Sequence, residues 1–223
     1  MSEVFVPLHS QLCVLNEILN ALKLKQNLIL LVGKSGSGKS ILLHQLQKEH
    51  KLILFNEPFS DENAFLKALS RSIFKQEFEF KEFCLRLKEQ KQLIIALDEL
   101  GMYEKKVLER LRVLSDIGNI SFILSTHKLL DDFHKEHFKS RISSIFELSN
   151  LSLTELESYL ELKFELKLKA SNAKWLLKLV KYNLRTLDKL ILSFKDLQIH
   201  YKNKPKSEKT LLELSALYHN ILG

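Results

Sequence analysis

The stretch that decides the fold is Gly33-Lys34-Ser35-Gly36-Ser37-Gly38-Lys39-Ser40. It fits the pattern G-x-x-x-x-G-K-[ST] without a mismatch, and it stands between an apolar run, Leu28–Val32, and a helix-like segment, 41–47. A strand, a glycine-rich turn and a helix in this order are the context of a phosphate-binding loop. The glycines let the backbone curl around a polyphosphate, and the helix adds the partial positive charge of its N-terminus. The alternative is a glycine-rich turn that binds nothing.

This loop predicts which residues contact a nucleotide. The expected phosphate-binding residues are Gly33, Lys34, Ser35, Gly36, Ser37, Gly38, Lys39, Ser40 and Ile41. Lys39 is expected to reach the β- and γ-phosphates and to act in catalysis by stabilising their charge. Ser40 is expected to place its hydroxyl on Mg²⁺. The sequence therefore predicts ATP and Mg²⁺ as the bound groups, without deciding between ATP and GTP.

A second chemical motif is an apolar run, Leu93–Leu97, that ends in Asp98 and Glu99. A continuous apolar run of this length is typical of a parallel strand buried on both faces. Ligands of open α/β sheets bind at the carboxyl ends of such strands. Asp98 is therefore the predicted second metal-binding residue, and Glu99 is the predicted base that orients and deprotonates the attacking water.

A third polar strand end follows the apolar segment 120–124, where Ser125 and Thr126 come next in the chain. A hydroxyl at this position could contact the γ-phosphate or the attacking water, and Thr126 is the candidate that we name as catalytic. Ser125 is the alternative for the same role. Both hydroxyls could equally cap the following helix, and the residues alone do not separate these possibilities.

Composition and charge limit the class of protein. The 223 residues are 45% apolar and 27% charged, and no apolar run approaches the roughly 20 residues of a membrane span. The opening segment 1–7 lacks a basic region followed by a long apolar region, so no secretion signal is expected. Two cysteines, Cys13 and Cys84, are too few for a disulfide framework. We expect both to be buried, in a cytoplasmic protein.

The net charge of +7 is concentrated in the last third of the chain. Residues 151–223 contain 13 Lys/Arg and 8 Asp/Glu, and residues 1–150 contain 21 and 19. A basic surface of this kind favours an acidic partner such as DNA or an anionic membrane face. The alternative is a set of lysines on solvated helix faces.

The pattern of elements changes at residue 150. Strand and helix signals alternate before it, ending in a short strand near 145–148, and only helical patterns follow it. Thr154 and Glu157 have the spacing of a capping box and predict the start of the first of these helices. We therefore expect two domains: an α/β nucleotide-binding core over 1–150 and a helical lid over 151–223.

The whole layout resembles that of AAA+ ATPases. Two shorter elements resemble parts of the same family: Ser140-Arg141, followed by a strand, and Asn183-Leu184-Arg185-Thr186 at the start of a helix. The resemblance implies a three-layer P-loop NTPase core with a five-stranded parallel sheet and a small all-helical lid. It also implies that Arg141 acts on the nucleotide of a neighbouring subunit in a homo-oligomer, and that Arg185 contacts the nucleotide in its own subunit.

Both arginines have simpler interpretations. Arg141 could be a surface residue in a salt bridge, and Arg185 could cap a helix or pair with Asp188. Tyr182 stands where the family usually has glycine, so this part of the resemblance is less complete. His127 and His134 are expected to be surface histidines.

A narrower resemblance rests on the opening Val6-Pro7-Leu8-His9, which comes before a helix and the phosphate loop. It is similar to that of compact bacterial ATPases of the ExeA, MshM and TniB type, which serve secretion, pilus assembly, DNA uptake and transposition. The chain would correspond to their ATPase module without a membrane segment. A protein partner would then provide any attachment to the inner membrane face.

These observations predict a Mg²⁺-dependent ATPase that couples nucleotide state to oligomerisation and to remodelling of a partner. The process would belong to a DNA-uptake, secretion or other DNA-handling machine, with the basic lid as the DNA-contacting part. The alternative is an ATP-dependent assembly or DNA-binding module with little hydrolysis of its own. A small-molecule kinase fits less well, because the helical block follows the sheet instead of interrupting it.

Overall fold

The structure is a computed structural model that describes residues 5–222. Its strands are β1 (Leu28–Val32), β2 (Leu52–Phe55), β3 (Leu93–Leu97), β4 (Ile120–Thr126) and β5 (Ile142–Glu147). Its longer helices are α1 (His9–Lys23), α2 (Lys39–Glu49), α3 (Glu62–Phe74), α4 (Phe80–Lys88), α5 (Lys105–Ser115), α7 (Leu153–Phe164), α8 (Ala170–Leu179), α9 (Leu184–His200) and α10 (Glu208–Tyr218). The short helix α6 spans Glu136–Lys139, and 3₁₀ turns lie at Leu100–Met102 and Asp131–His134.

The five strands form one sheet in the order β2-β3-β4-β1-β5, and every neighbouring pair is parallel. This confirms the predicted five-stranded parallel sheet of a P-loop AAA+ fold. All seven residues of β4 are buried, as expected for an apolar strand at the centre of a sheet. The strands bring their carboxyl ends to one edge, where Val32 is in register with Thr126, and Leu97 with Leu124.

The last strand begins earlier than the sequence indicates. The apolar residues predicted a short strand near 145–148, whereas β5 starts at Ile142. This strand is at the edge of the sheet, and its residues alternate between half-buried and exposed. Ser143 and Ser144 therefore fit into it, although they interrupt the apolar pattern on which the prediction depended.

The hydrophobic core of the α/β part lies on one face of the sheet, where α3, α4 and α5 pack. Phe65, Phe83 and Phe122 are fully buried there. Four further apolar residues have no exposed surface but lie outside this cluster: Ile18 of α1 and Leu42, Leu43 and Leu46 of α2. Burying such side chains stabilises the fold by roughly 1.5–3 kcal/mol each.

Two compact units are distinguished by their internal contacts. The α/β unit comprises 13–33 and 39–148, and the helical unit comprises 5–12, 34–38 and 149–222 of the described chain. A second core of buried apolar residues holds the helical unit together, with Leu156, Leu187 and Phe194 fully enclosed. The division at residue 150 that the sequence indicates stays a prediction about domains.

Helix α7 begins with a capping box, but not the one that the sequence indicated. Ser152 is the N-cap: its Oγ accepts a hydrogen bond from the Glu155 amide at 3.2 Å, and its own amide donates to Glu155 Oε2 at 3.0 Å. Thr154 and Glu157 lie two residues further on, inside the helix. Glu155 also accepts from the amide of Ser10 at 2.8 Å, which ties the segment 5–12 to α7 within the helical unit.

The cysteines are less buried than expected. Cys13 is exposed on α1, and Cys84 of α4 is half-buried, so the expectation of two buried cysteines was wrong. The spacing of apolar residues in each helix, and not the residue type, decides which side faces the core. Among residues 5–222, no helix has both the length and the apolar content that crossing a membrane requires.

Candidate nucleotide-binding site

The phosphate loop connects β1 to α2 at the carboxyl edge of the sheet. The amide of Gly33 donates to the carbonyl of Thr126 at 3.1 Å, and the amide of Ser37 donates to the carbonyl of Lys34 at 3.2 Å. Gly36 and Gly38 have φ angles of 74° and 98°, in the left-handed region that favours glycine. The loop thus has the tight, glycine-dependent turn that the sequence predicted.

Lys39 is a buried cation at the first position of α2. Its side chain is only 5% exposed, and its Nζ donates to the carbonyl of Gly33 at 2.6 Å. The same Nζ lies 3.3 Å from Nδ1 of His127. Because burial of a charge is costly, an ammonium group here needs polar partners, and an anion would be a stronger partner than a carbonyl oxygen. The geometry suits the predicted role of Lys39 toward phosphate.

His127 is a site residue that sequence reasoning missed. It was expected to be a surface histidine, and it is exposed, but its ring lies against the lysine of the phosphate loop. Its position directly after β4 was the available signal, since β4 lies next to β1 in the sheet. A protonated or neutral imidazole at this point can donate a hydrogen bond to a phosphate.

The two carboxylates after β3 occupy different environments. Asp98 is 4% exposed, and its Oδ1 accepts a hydrogen bond from the amide of Glu99 at 2.9 Å. Glu99 is half-buried and has φ 52° and ψ 43°, a left-handed conformation that is unfavourable for a residue with a side chain. Strain of this kind is concentrated at functional sites, where the surrounding structure enforces it.

Tyr103 is a second residue that sequence reasoning did not identify. Burial, together with the negative charge of Asp98, raises the pKa of the Tyr103 phenol well above its usual range. Its hydroxyl donates to the carbonyl of Glu57 at 3.3 Å. Tyr103 therefore stays protonated beside the predicted metal-binding carboxylate.

Ser40 and Asp98 suit a magnesium ion by the chemistry of their donors. A hydroxyl and a carboxylate are hard oxygen ligands, and Ser40 lies in the first turn of α2. In the described part of the chain, no group of three or more His, Cys, Asp and Glu side chains could hold a metal ion alone. A sparse protein ligand set is typical of Mg²⁺ sites that substrate phosphates and water complete. The residues present therefore fit this ion.

The two hydroxyls at the end of β4 differ in what they contact. Thr126 Oγ1 donates to the carbonyl of Lys128 at 2.9 Å, so it helps to form the turn after the strand. Ser125 is fully buried, and its Oγ has no hydrogen-bond partner among the described residues. Consecutive strand residues point to opposite faces of a sheet, so the two hydroxyls cannot serve the same site in the same way.

Arg185 lies in the first turn of α9 and is exposed. Arg185 does not form the alternative ion pair with Asp188, which instead accepts hydrogen bonds from Lys163 Nζ at 2.7 Å and from the Tyr159 hydroxyl at 2.8 Å. The N-cap of α9 is Asn183, whose Oδ1 accepts from the amide of Thr186 at 3.0 Å. Arg185 is thus not the capping residue of this helix.

Arg141 is bound within its own chain. Its Nε and Nη2 donate to the two carboxylate oxygens of Asp116, at 2.7 Å and 2.9 Å. This hydrogen bonding lowers the pKa of Asp116. The structure thus contains a surface salt bridge of Arg141, which was the alternative interpretation of this residue from the sequence. Action on a neighbouring subunit stays a prediction, and it would require Arg141 to leave Asp116.

A strand, a glycine loop and a helix on a parallel sheet, with a buried loop lysine, define a P-loop nucleotide-binding protein of the AAA+ class. The AAA domain family model matches residues 22–134, just over half of the chain. The chain therefore belongs to the AAA domain family. A search of curated proteins found no match.

Solved structures share the fold at low sequence identity. The RuvB Holliday junction branch migration motor of Thermotoga maritima is 16% identical, with 93% of this chain and 69% of that chain covered and a TM-score of 0.62. Drosophila ORC bound to DNA is 12% identical, with 97% and 62% covered and a TM-score of 0.72. Aeropyrum pernix ORC1 in complex with DNA is 14% identical, with 96% and 66% covered and a TM-score of 0.67.

Proposed function

We propose that this protein binds ATP with Mg²⁺ and hydrolyses it, and that it uses the nucleotide cycle to assemble and to act on DNA or a DNA-handling machine. The observation that carries the proposal is the buried ammonium of Lys39, 2.6 Å from the carbonyl of Gly33 in a complete phosphate-loop motif. A buried ammonium beside a carbonyl oxygen and an imidazole is suited to an anionic ligand, because an anion offsets the cost of burying its charge.

The reaction assigned to the site is phosphoryl transfer to water. Lys39 and the loop amides neutralise phosphate charge, and Glu99 orients the water and accepts its proton. Ser40 and Asp98 would hold Mg²⁺, which supplies further charge neutralisation at the phosphates. His127 and one of the two hydroxyls at the end of β4 complete the polar surroundings of the γ-phosphate position.

A homo-oligomer is part of the proposal, with Arg141 completing the site of the next subunit. An arginine of this kind can accelerate hydrolysis by roughly 10³–10⁵-fold. Turnover per subunit should then rise with protein concentration, and Arg141→Ala should remove that rise. A variant whose turnover per subunit still rises as in the wild type would exclude this role.

A basic face on the helical unit is the proposed DNA contact. We name Lys174, Lys178 and Lys181 the α8 lysine face: the first two stand one helical turn apart, the third lies two residues beyond the end of the helix, and all three are exposed. Between Glu165 and Asp188 the sequence has no acidic residue. Across residues 5–222, none of the three lysines is in an ion pair with a carboxylate. The DNA-bound ORC structures add support from the fold.

The decisive experiment is steady-state ATP hydrolysis by the purified protein, with and without single- and double-stranded DNA, over a range of salt concentrations. Glu99→Gln provides the blank. Hydrolysis that DNA stimulates and salt suppresses would support a DNA-handling ATPase, because phosphate contacts weaken steeply with salt. A hydrolysis rate that DNA does not change would exclude the proposed action on DNA. The search would then turn to a protein partner, including one at the inner membrane face as in the ExeA-like systems.

The second candidate is a module that uses ATP for assembly and hydrolyses little. It is favoured by two contacts of this structure: Arg141 is bound to Asp116, and the Thr126 hydroxyl is bound to Lys128. Both residues would have to give up these partners in order to act on a phosphate. Tight ATP binding and ATP-dependent oligomerisation, with turnover equal to that of Glu99→Gln, would identify this second function.

A further inference from the structure

Three consecutive carbonyl groups of the phosphate loop accept hydrogen bonds inside the helical unit. The side-chain Nδ2 of Asn183 donates to the carbonyl of Ser35 at 3.1 Å. The backbone amide of Leu184 donates to the carbonyl of Gly36 at 2.9 Å. The side-chain Nε2 of Gln11 donates to the carbonyl of Ser37 at 3.1 Å. The donors come from α1 and from the start of α9, which are distant in sequence but belong to one unit.

These contacts orient the amides that a phosphate needs. In a planar trans peptide the C=O of one residue and the N–H of the next point in opposite directions. Holding the carbonyls of Ser35 and Ser37 therefore directs the amides of Gly36 and Gly38 away from Asn183 and Gln11. The amide between them, that of Ser37, donates to the carbonyl of Lys34, so the amides of Gly36 and Gly38 are the ones that these contacts present to an anion.

The fit between the loop and its donors leaves no room for side chains. A Cβ added to Gly36 would lie 2.0 Å from Asn183 Oδ1, and one added to Gly38 would lie 2.2 Å from Gln11 Nε2. The left-handed φ angles require glycine at both positions, and a side chain at either one would displace the Asn183 or Gln11 amide group from the loop.

Both polar atoms of the Asn183 side-chain amide form hydrogen bonds that hold the side chain in place. Its Oδ1 caps α9 by accepting from Thr186, while its Nδ2 reaches the carbonyl of Ser35. The two residues before it, Lys181 and Tyr182, have φ angles of 49° and 63°. Left-handed backbone at two successive residues with side chains is strained, and it turns the chain from α8 into α9 so that Asn183 faces the loop.

We infer that Asn183 and Gln11 are positioning residues of the phosphate loop: they preset its amides for polyphosphate by holding its carbonyls. This inference rests on the proposed nucleotide function and adds to it the means by which the helical unit affects affinity. Neither residue touches the phosphates in this scheme, so their replacement should weaken binding without removing a catalytic group.

The test measures the dissociation constant of Mg·ADP, which needs no hydrolysis, for the full chain and its variants. Asn183→Ser keeps a residue that can cap α9 but removes the Nδ2 donor, and Gln11→Met keeps the length of the side chain but removes its donor. Each substitution should weaken Mg·ADP binding by about tenfold, the equivalent of one hydrogen bond.

The matched control is Ser207→Ala, which removes the N-cap of α10, where Ser207 Oγ accepts from the amide of Thr210. This control should lower the unfolding temperature and leave the dissociation constant of Mg·ADP unchanged. Wild-type affinity in both Asn183→Ser and Gln11→Met would overturn the inference while leaving the proposed function intact. A wild-type protein that binds neither Mg·ADP nor Mg·ATP would overturn both.

Discussion

Charged side chains are placed in opposite ways in the two units of this protein. In the α/β unit, Lys39 and Asp98 are 5% and 4% exposed and lie at the carboxyl edge of the sheet. In the helical unit, the lysines of the α8 lysine face are exposed to solvent. A buried charge depends on a few fixed partners, whereas exposed charges act together through a field that salt screens.

The contrast predicts how each unit responds to mutation. Removing one buried charge should eliminate a function, because nothing nearby can replace it. Removing one exposed lysine should have a small effect, and several must change together before binding is altered. The predictions that follow test this contrast from the largest expected effect to the smallest.

The largest effect is expected for Lys39→Ala, which should weaken Mg·ATP binding by roughly 10³-fold. The ammonium would make charge-assisted hydrogen bonds to two phosphates, each worth about 1.5–3 kcal/mol. Isothermal titration with Mg·ATP measures the change. Lys34→Ala is the matched control, because the exposed Lys34 is expected to contribute through its backbone amide and should retain affinity within a few fold. Equal decreases in both variants would contradict the special role of the buried lysine.

Glu99→Gln should bind Mg·ATP normally and hydrolyse it about 10²-fold more slowly. The amide is nearly isosteric with the carboxylate but cannot accept a proton from water. Single-turnover hydrolysis separates this effect from binding. Glu104→Gln, at an exposed position five residues later, is the control and should behave as the wild type. Normal turnover in Glu99→Gln would show that another group serves as the base.

In the helical unit, the combined variant Lys174→Gln/Lys178→Gln/Lys181→Gln should weaken binding to duplex DNA by about tenfold. The slope of log affinity against log salt should become shallower by about 3, because each substitution removes one lysine that would neutralise a DNA phosphate. Fluorescence anisotropy at several salt concentrations measures both quantities.

A control with the same change in net charge is Lys81→Gln/Lys88→Gln/Lys91→Gln, on and next to α4 in the α/β unit. If DNA binding depends only on the net charge of the protein, the two triple variants should show the same decrease in affinity for DNA. A decrease confined to the first variant would place the contact on the α8 lysine face.

The smallest effect concerns stability and follows from Glu155. Burial acts to raise the pKa of Glu155, but hydrogen bonds from Ser10 and Ser152 outweigh it and the net pKa is lowered. Ionised Glu155 therefore stabilises the fold above its ordinary pKa of about 4.3, and this contribution disappears as pH falls through the lowered folded-state pKa.

Glu155→Gln should accordingly destabilise the protein by less than about 1 kcal/mol at pH 7, because the carboxylate is half-exposed. The difference from the wild type should shrink as the pH falls below the ordinary carboxyl pKa. Urea unfolding at pH 7 and at acidic pH measures it. A difference that stays constant with pH would mean that packing, and not ionisation, is the source of the effect.

Much of the α/β unit was predictable because its signals are local. The run Leu28–Val32, the loop motif and the run Leu93–Leu97 each occupy contiguous residues, and buried parallel strands are continuous apolar runs. The same reasoning failed where an element is half-exposed, as at the start of β5, and where two capping patterns overlap, as at Ser152 and Thr154.

Residues whose importance lies in a distant contact could not be found in this way. His127 lies 88 positions from Lys39, Asn183 lies 148 positions from Ser35, and Gln11 lies 26 positions from Ser37. The position of His127 after β4 and that of Asn183 in an AAA+-like element mark them as candidates, but neither signal says which atom of the loop each side chain contacts. Only the packing of their elements brings them to the loop.

The sequence by itself determined the phosphate loop, the carboxylate pair at the end of β3, the parallel α/β class and the helical character of the last third. These features depend on the chemistry of neighbouring residues, and short-range sterics and hydrophobic periodicity encode them directly. The tertiary structure alone decided that Arg141 pairs with Asp116, that Lys39 is buried beside His127, and that Asn183 and Gln11 hold the loop carbonyls. Such partners are selected by how whole elements pack, because a hydrogen bond forms only where folding has brought its donor and acceptor together.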